Sequence, residues 1–334
     1  MTRPGIRPLG STGMSITAVG LGSWAIGGGG WSFGWGGQDD DESIAAIHRA
    51  LDAGVNWIDT AAEYGLGHAE EVVAAALHGV ADGDRPYVFT KCGMVWNDAD
   101  RMAEAAQIGH PDSIRRECEA SLRRLRVDCI DLYQMHWPPN DGTPLEEYWG
   151  TLLELKEEGK VRAVGLSNHD TAQLSAAEKL GRVDSLQPPF SAISRDAAQD
   201  VIPWCRDNGI GVIVYSPMHS GLLTGAFDAE RVRALPADDW RRRSPDFTDQ
   251  LTANLTVAEA IADVAGRHGS SPASIAVAWT LSWPGVTGAI VGARRAGQVD
   301  DWAGAAGIEL STDDLDHIAG AIERGGAGSG PRRP

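Results

Sequence analysis

Cysteine is scarce in this sequence: Cys92, Cys118, Cys129 and Cys205 stand alone, with no Cys-x-x-Cys pair and no Cys/His cluster. That pattern excludes a zinc ribbon and a disulfide framework, so reduced thiols are expected. Positive charge is also short, with 29 Lys and Arg against 46 Asp and Glu and a formal net charge of -17. Such a balance repels phosphate backbones and anionic lipid, so neither a nucleic acid nor a membrane is an expected partner. Arg241-Arg242-Arg243 is a local exception. No apolar run approaches the roughly 18 residues of a membrane span. The opening Met-Thr-Arg-Pro-Gly carries no apolar leader, so a soluble protein that stays in the cytoplasm is expected. The dinucleotide fingerprint G-x-G-x-x-G is missing after the first apolar run. Gly27-Gly28-Gly29-Gly30 with Trp31 lacks its spacing and reads as a mobile loop.

What the chain does have is a rhythm. Short apolar runs recur at Ile16 to Leu21, Val55 to Ile58, Tyr87 to Thr90, Ile130 to Met135, Val161 to Leu166, Ser185 to Gln187, Gly211 to Tyr215 and Thr287 to Val291. Between them lie stretches of helical periodicity: Glu42 to Ala53, Ala69 to Leu77, Ser113 to Leu125, Leu145 to Glu157, Thr171 to Leu180, Ala197 to Asn208 and Arg294 to Ala306. Nearly all-apolar strands fit a parallel sheet covered by helices, and alternation over eight units points to a closed α/β barrel, a (β/α)8 TIM barrel. An open doubly wound sheet is the rival. The rhythm breaks once, in a long loop after strand seven, where roughly 40 residues precede the helix Val257 to His268; loops this long are functional or disordered. A helix Pro272 to Leu281 and a C-terminal helix Asp313 to Arg324, capped at Ser311/Thr312, complete a single domain over 1–324. The Gly-rich tail 325–334 has no apolar anchor and is expected to be disordered.

Barrel active sites form at the C-terminal ends of the strands. Asp59 and Tyr64 follow the second run, Lys91 the third and His136 the fourth. Reducing a carbonyl places negative charge on oxygen, which must be stabilised and protonated. Tyr64 can be the acid: an unperturbed phenol titrates near pH 10, and a neighbouring ammonium brings it toward the working range. Lys91 supplies that ammonium, Asp59 compensates it, and His136 orients the substrate oxygen. Each residue also has a bland role: a strand-end cap, a loop aromatic, a solvated charge and a structural histidine. Their joint placement at successive strand ends favours the chemical one.

The segments Leu21-Gly22-Ser23-Trp24, Asn56 through Gly65, Thr90-Lys91, Gln134 through Pro138, Gly159 through Asn168 and Tyr215-Ser216-Pro217 together resemble the aldo-keto reductase superfamily. Gln187-Pro188-Pro189-Phe190 and Ser220 through Gly225 resemble its bacterial branch, which includes inositol-cluster reductases and the potassium channel β subunits. The resemblance runs from Leu9-Gly10 to about Ile322. It implies a (β/α)8 barrel, a nicotinamide cofactor and Asp59, Tyr64, Lys91 and His136 as catalytic tetrad. It further implies that Gly22, Ser23, Trp24 and Asp59 border the cofactor, that Ser167, Asn168 and Gln187 hold its carboxamide, and that Tyr215 stacks on its ring. Ser216, Pro217, Met218, Ser220, Gly221 and Leu222 approach the pyrophosphate as a clasp, with Arg241 at the far end of the same loop as either a phosphate contact or a solvated charge. Gly292, Arg294, Gln298 and Asp301 take the adenosine end, with Arg294 as the 2′-phosphate partner, so NADP is favoured over NAD. Trp302 stands where the family commonly has Asn.

Trp31, Trp35, Trp96 and Trp137, with Trp24, fall on loops at the expected mouth and are candidates for an aromatic substrate wall. The main reading is an NADP-dependent oxidoreductase of aldehydes, ketones or sugar-like carbonyls and alcohols. An alternative is a cofactor-sensing regulatory subunit like the channel β subunits. A metal-dependent barrel hydrolase or isomerase needs a ligand cluster, and only Asp59 and His136 are at hand, so no metal is expected. Substrate, reaction direction and oligomeric state stay open.

Overall fold

The structure is a computed structural model that describes residues 5–236 and 239–334. The first four residues, on which the reading of the chain's start falls, and Ala237 and Asp238 in the long loop lie outside them. Eight parallel strands close a barrel: β1 (Val19–Gly22), β2 (Trp57–Asp59), β3 (Tyr87–Cys92), β4 (Ile130–Met135), β5 (Val161–Ser167), β6 (Ser185–Gln187), β7 (Gly211–Val214) and β8 (Gly288–Gly292). Each pairs with its sequence neighbours, and β8 closes on β1 with Ala289 opposite Val19 and Gly292 opposite Gly22. The open-sheet rival is thereby excluded.

Helices link successive strands and cover the barrel's outer face, which is why the strands are buried on both sides. Local chemistry sets several starts. Asp170 and Gln173 form a reciprocal capping box at Thr171–Leu180, and Ser311 and Asp314 form another at Thr312–Gly325. Pro111 opens Pro111–Leu125, at a position whose N–H has no helical partner anyway.

Four details differ from the expected pattern. The first apolar run is split: Ile16 and Thr17 belong to an antiparallel hairpin of Ile6–Pro8 and Ser15–Thr17, and only Val19 onward enters the barrel. Leu9, Met14 and Ile16 plug the barrel floor against Trp57, Phe89, Leu132 and Ile213. The expected helix Ala197 to Asn208 shrinks to Val201–Asp207, after a tight turn at Asp196–Ala198 and a non-helical Asp200. Arg294 to Ala306 holds only the short helix Ala296–Asp300 and a tight turn at Ala305–Gly307, consistent with poor helix formers at Gly297 and Gly304. Finally, the tail is not a loose end. Arg195, itself buried, donates to the Ala327 carbonyl at 3.0 Å, and Ser329 Oγ bonds Asp196 at 2.6 Å. The anchor is a distant arginine that captures backbone, so the tail's own composition gives no sign of it.

Candidate active site

Asp59 is the last residue of β2 and Lys91 the fifth of β3, and the parallel register turns both into the upper barrel. Lys91 Nζ donates to Asp59 Oδ1 at 2.6 Å and to the Thr60 carbonyl at 2.8 Å, with the Tyr64 hydroxyl at 3.4 Å. Gln187, at the tip of β6, donates to the other Asp59 oxygen at 2.8 Å. Tyr64 sits on the turn after β2, and its ring meets that of His136, just past β4, edge to face at 5.7 Å. The four residues picked out in the sequence therefore converge, with Gln187 as a fifth member.

Burial pushes Asp59 up and Lys91 down, while each holds the other charged. The net effect on Tyr64 runs against the sequence-based expectation. Burial, then the Asp59, Glu63 and Tyr215 charges, raise its phenol well above the ordinary value. The phenol is thus a protonated group near neutral pH, suited to giving a proton. His136 is forced well below its usual value by burial and then by Lys91, so it is a neutral imidazole that can orient an oxygen.

A groove of about 1060 Å³ runs across the barrel mouth. It is bordered by Gly22, Ser23, Trp24, Asp59 and Tyr64 at one end, by Tyr215, Ser216, Pro217, Met218, Ser220, Gly221 and Arg241 along one side, and by Gly292, Arg294, Gln298 and Asp301 at the far end. Leu222 is the exception, buried in the core beneath the loop. The loop after β7 is held tightly. Ser216, His219, Ser220 and Gly221 all adopt left-handed backbone, and Arg241 forms a two-pronged ion pair with Asp239 while donating to the Ser220 carbonyl at 3.2 Å. Arg241 therefore ties the two ends of the loop together, with its guanidinium 4.5 Å over the Trp35 ring, and is not a solvated charge. Arg294 fixes the facing loop through Gln38, Trp35 O and Gly37 O. That loop is closely folded: a Cβ on Gly27 would lie 2.6 Å from Gly65 N.

A second cavity, about 310 Å³, opens beside the first, and Trp24, Tyr64 and Tyr215 line both. Trp31 and Trp137 line it as expected, with Phe33, Glu63 and His136. Two tryptophans must be reassigned. Trp35 lines the long groove instead, edge-on to Trp24 and Trp240. Trp96 lines neither cavity, because its indole N–H is taken by Asp98 at 2.9 Å and Arg124 lies 6.0 Å over its ring. Ser167, Asn168 and Gln187 line the second cavity where it meets the groove. Asn168 bonds the His136 carbonyl, the Ser167 hydroxyl and the Tyr215 hydroxyl, which fixes it as a rigid hub.

The sequence pattern of the Aldo/keto reductase family matches residues 19–323. The chain belongs to the aldo/keto reductase family. Aldo-keto reductase YhdN of Bacillus subtilis (strain 168) is 35% identical over 319 residues, covering 94% of this chain and 92% of its own length. A protein of Escherichia coli (strain K12), named NADH-specific methylglyoxal reductase, is 35% identical over 332 residues, covering 95% and 99%. Among solved structures, the glycerol dehydrogenase AKR11B4 from Gluconobacter oxydans superposes with a TM-score of 0.87 at 34% identity, covering 99% of this chain and 98% of that one. The chain is thus a nicotinamide-dependent oxidoreductase of this family.

Trp302, which departs from the family's usual Asn, lines the groove, and Trp240, within the Asp239-Trp240-Arg241 run that resembles the family's loop end, stacks on Trp24 at 5.5 Å. Arg295 and Glu63 were not singled out in the sequence, and both line a cavity. Glu63 gave no signal, since a glutamate on a turn ordinarily faces water.

Proposed function

We propose that the protein is an NADP-dependent reductase of aldehydes, ketones or sugar-like carbonyls, with Tyr64 as general acid and, in the reverse direction, general base. One observation carries the reading. The Tyr64 phenol lies where the long groove meets the smaller cavity, 3.4 Å from a buried ammonium that is itself bonded to Asp59. A nicotinamide dinucleotide supplies the hydride when bound. This chain's residues do the rest: the phenol gives its proton to the developing alkoxide, Lys91 and Asp59 fix the charge around it, and neutral His136 orients the oxygen.

The groove suits such a group. Its wall holds the buried Ser23 hydroxyl and the Trp302 indole N–H, neither with a protein partner, and its volume of about 1060 Å³ leaves room for an extended molecule between two pinned loops. The preference for NADP rests on Arg294 and the exposed Arg295. Three of the five N–H donors of Arg294 hold the loop around Gln38, which leaves two for a 2′-phosphate. The helix at Ala296–Asp300 has five residues, so side chains carry this argument and its dipole does not.

The test is fluorescence titration with NADPH and NADH followed by turnover on a panel of neutral carbonyls. Tighter NADPH binding with steady turnover is expected. Tight binding with no turnover on any carbonyl would overturn the reductase reading and favour a cofactor sensor.

A further inference from the structure

Among the described residues, Glu63 and Glu70 are buried glutamates of this barrel and Glu117 is half-buried. Glu70 accepts from Thr90 Oγ1 at 2.6 Å and from Arg124 Nε at 2.6 Å. Glu117 accepts from the Gly93 N–H at 2.8 Å and from Ser113 Oγ at 3.1 Å. Glu63 is only 6% exposed, yet its one ion-pair contact among the described residues, His136 Nδ1, is at 3.7 Å, beyond hydrogen-bond reach. A carboxylate can accept about four hydrogen bonds, and this one has spent none of that capacity on protein donors while sitting almost out of water.

Nor is its charge matched. His136 is neutral, and Lys91, the nearby cation, is committed to Asp59 and the Thr60 carbonyl. Among the described residues that line this cavity there is no arginine or lysine, and Glu104 adds a second carboxylate. Glu63 is held up to about 7, first by burial, against the pull of Lys91 and with the push of Glu104. A site with an open acceptor, two acids and aromatic walls suits a neutral ligand with a hydroxyl to donate, and it repels an anion.

Resting on the reductase reading above, we propose that Glu63 sets substrate specificity: its carboxylate, in the cavity wall beside His136, accepts a hydroxyl of a neutral hydroxy-carbonyl substrate and excludes carbonyl compounds that carry a carboxylate of their own. The placement suits this. Glu63, Tyr64 and His136 line the same cavity, with Glu63 3.7 Å from the imidazole, so a hydroxylated substrate held there meets the carboxylate as well as the phenol.

The test compares wild type with Glu63→Gln at pH 8 and saturating NADPH on three aldehydes: glyceraldehyde (neutral, hydroxylated), propionaldehyde (neutral, no hydroxyl) and succinic semialdehyde (anionic). A hydrogen bond to a charged group supports a change of about tenfold or more in kcat/KM. Wild type is expected to favour glyceraldehyde and to disfavour succinic semialdehyde. In Glu63→Gln, measured relative to propionaldehyde, which carries any general effect of Glu63 on Tyr64 and His136, glyceraldehyde should lose about tenfold, mainly through KM, and succinic semialdehyde should gain about tenfold. Propionaldehyde also reports whether the variant is folded and competent. Equal changes on all three substrates, or a wild type that takes the anionic aldehyde as readily as glyceraldehyde, would overturn the proposal and leave the reductase reading intact. A wild type inactive on all three would remove that reading and this proposal together.

Discussion

The two ends of the barrel are built from the same strands and do opposite work. On β2, Trp57 fills the floor and Asp59, two residues on, faces the mouth; on β3, Phe89 and Lys91 repeat the pattern. Side chains two apart on a strand share a face, so one step of that period separates a dry core from the reacting layer. The floor is sealed by the hairpin residues Leu9, Met14 and Ile16, and Gly20 has no side chain because a Cβ there would overlap the Trp57 indole. The mouth instead gathers buried polar groups that burial pushes away from their ordinary titration. In this barrel the floor is an apolar plug and the mouth holds the buried titratable groups, the arrangement general for the fold.

Three substitutions probe that division. At the floor, Trp57→Ala should have the largest effect, a loss of about 3–5 kcal/mol in denaturant unfolding, with the cofactor affinity of the folded protein unchanged. A comparable loss of affinity would show that the two ends are not separable.

At the mouth, stability should depend on pH in a way the floor does not. The Glu63 carboxyl moves from 4.5 to about 7 on folding. Because the folded value is the higher one, its favourable contribution is full below about pH 4.5 and is lost as pH rises through 7. Glu63→Gln should therefore match wild type in thermal stability near pH 4 and exceed it above pH 7, by at most ~3 kcal/mol. A gap of the same size at both pH values would contradict the burial argument.

The smallest effect belongs to the rim. Arg294→Ala frees the loop around Gln38 and should weaken both cofactors, but NADPH by about tenfold more than NADH, read by fluorescence titration. Equal weakening would reduce Arg294 to a loop anchor and withdraw the NADP preference.

Where a segment packs on the barrel with a clear apolar pattern of its own, the sequence spelled out the fold. Ile130–Met135, Ser185–Gln187 and Leu145–Glu157 fall where their patterns placed them. Strand-end logic likewise found Asp59, Tyr64, Lys91 and His136, which the barrel brings together. What escaped depends on partners remote in sequence. The tail is held by Arg195, and Trp96 is drawn off by Asp98 and Arg124. Glu63 looks like an ordinary turn glutamate until the loop of Trp31 and Phe33 closes beside it. The hairpin at Ile6–Thr17 and the small one at Met94–Val95 with Ala106–Gln107 are too short to show a period.

The central claim is that a protonated phenol at the junction of the two cavities hands its proton to the substrate oxygen. The most direct measurement is NADPH oxidation by Tyr64→Phe with glyceraldehyde, run beside NADPH titration of the same variant. The account predicts unchanged cofactor affinity and turnover lowered by about 10²–10⁴-fold. Turnover within threefold of wild type would contradict it.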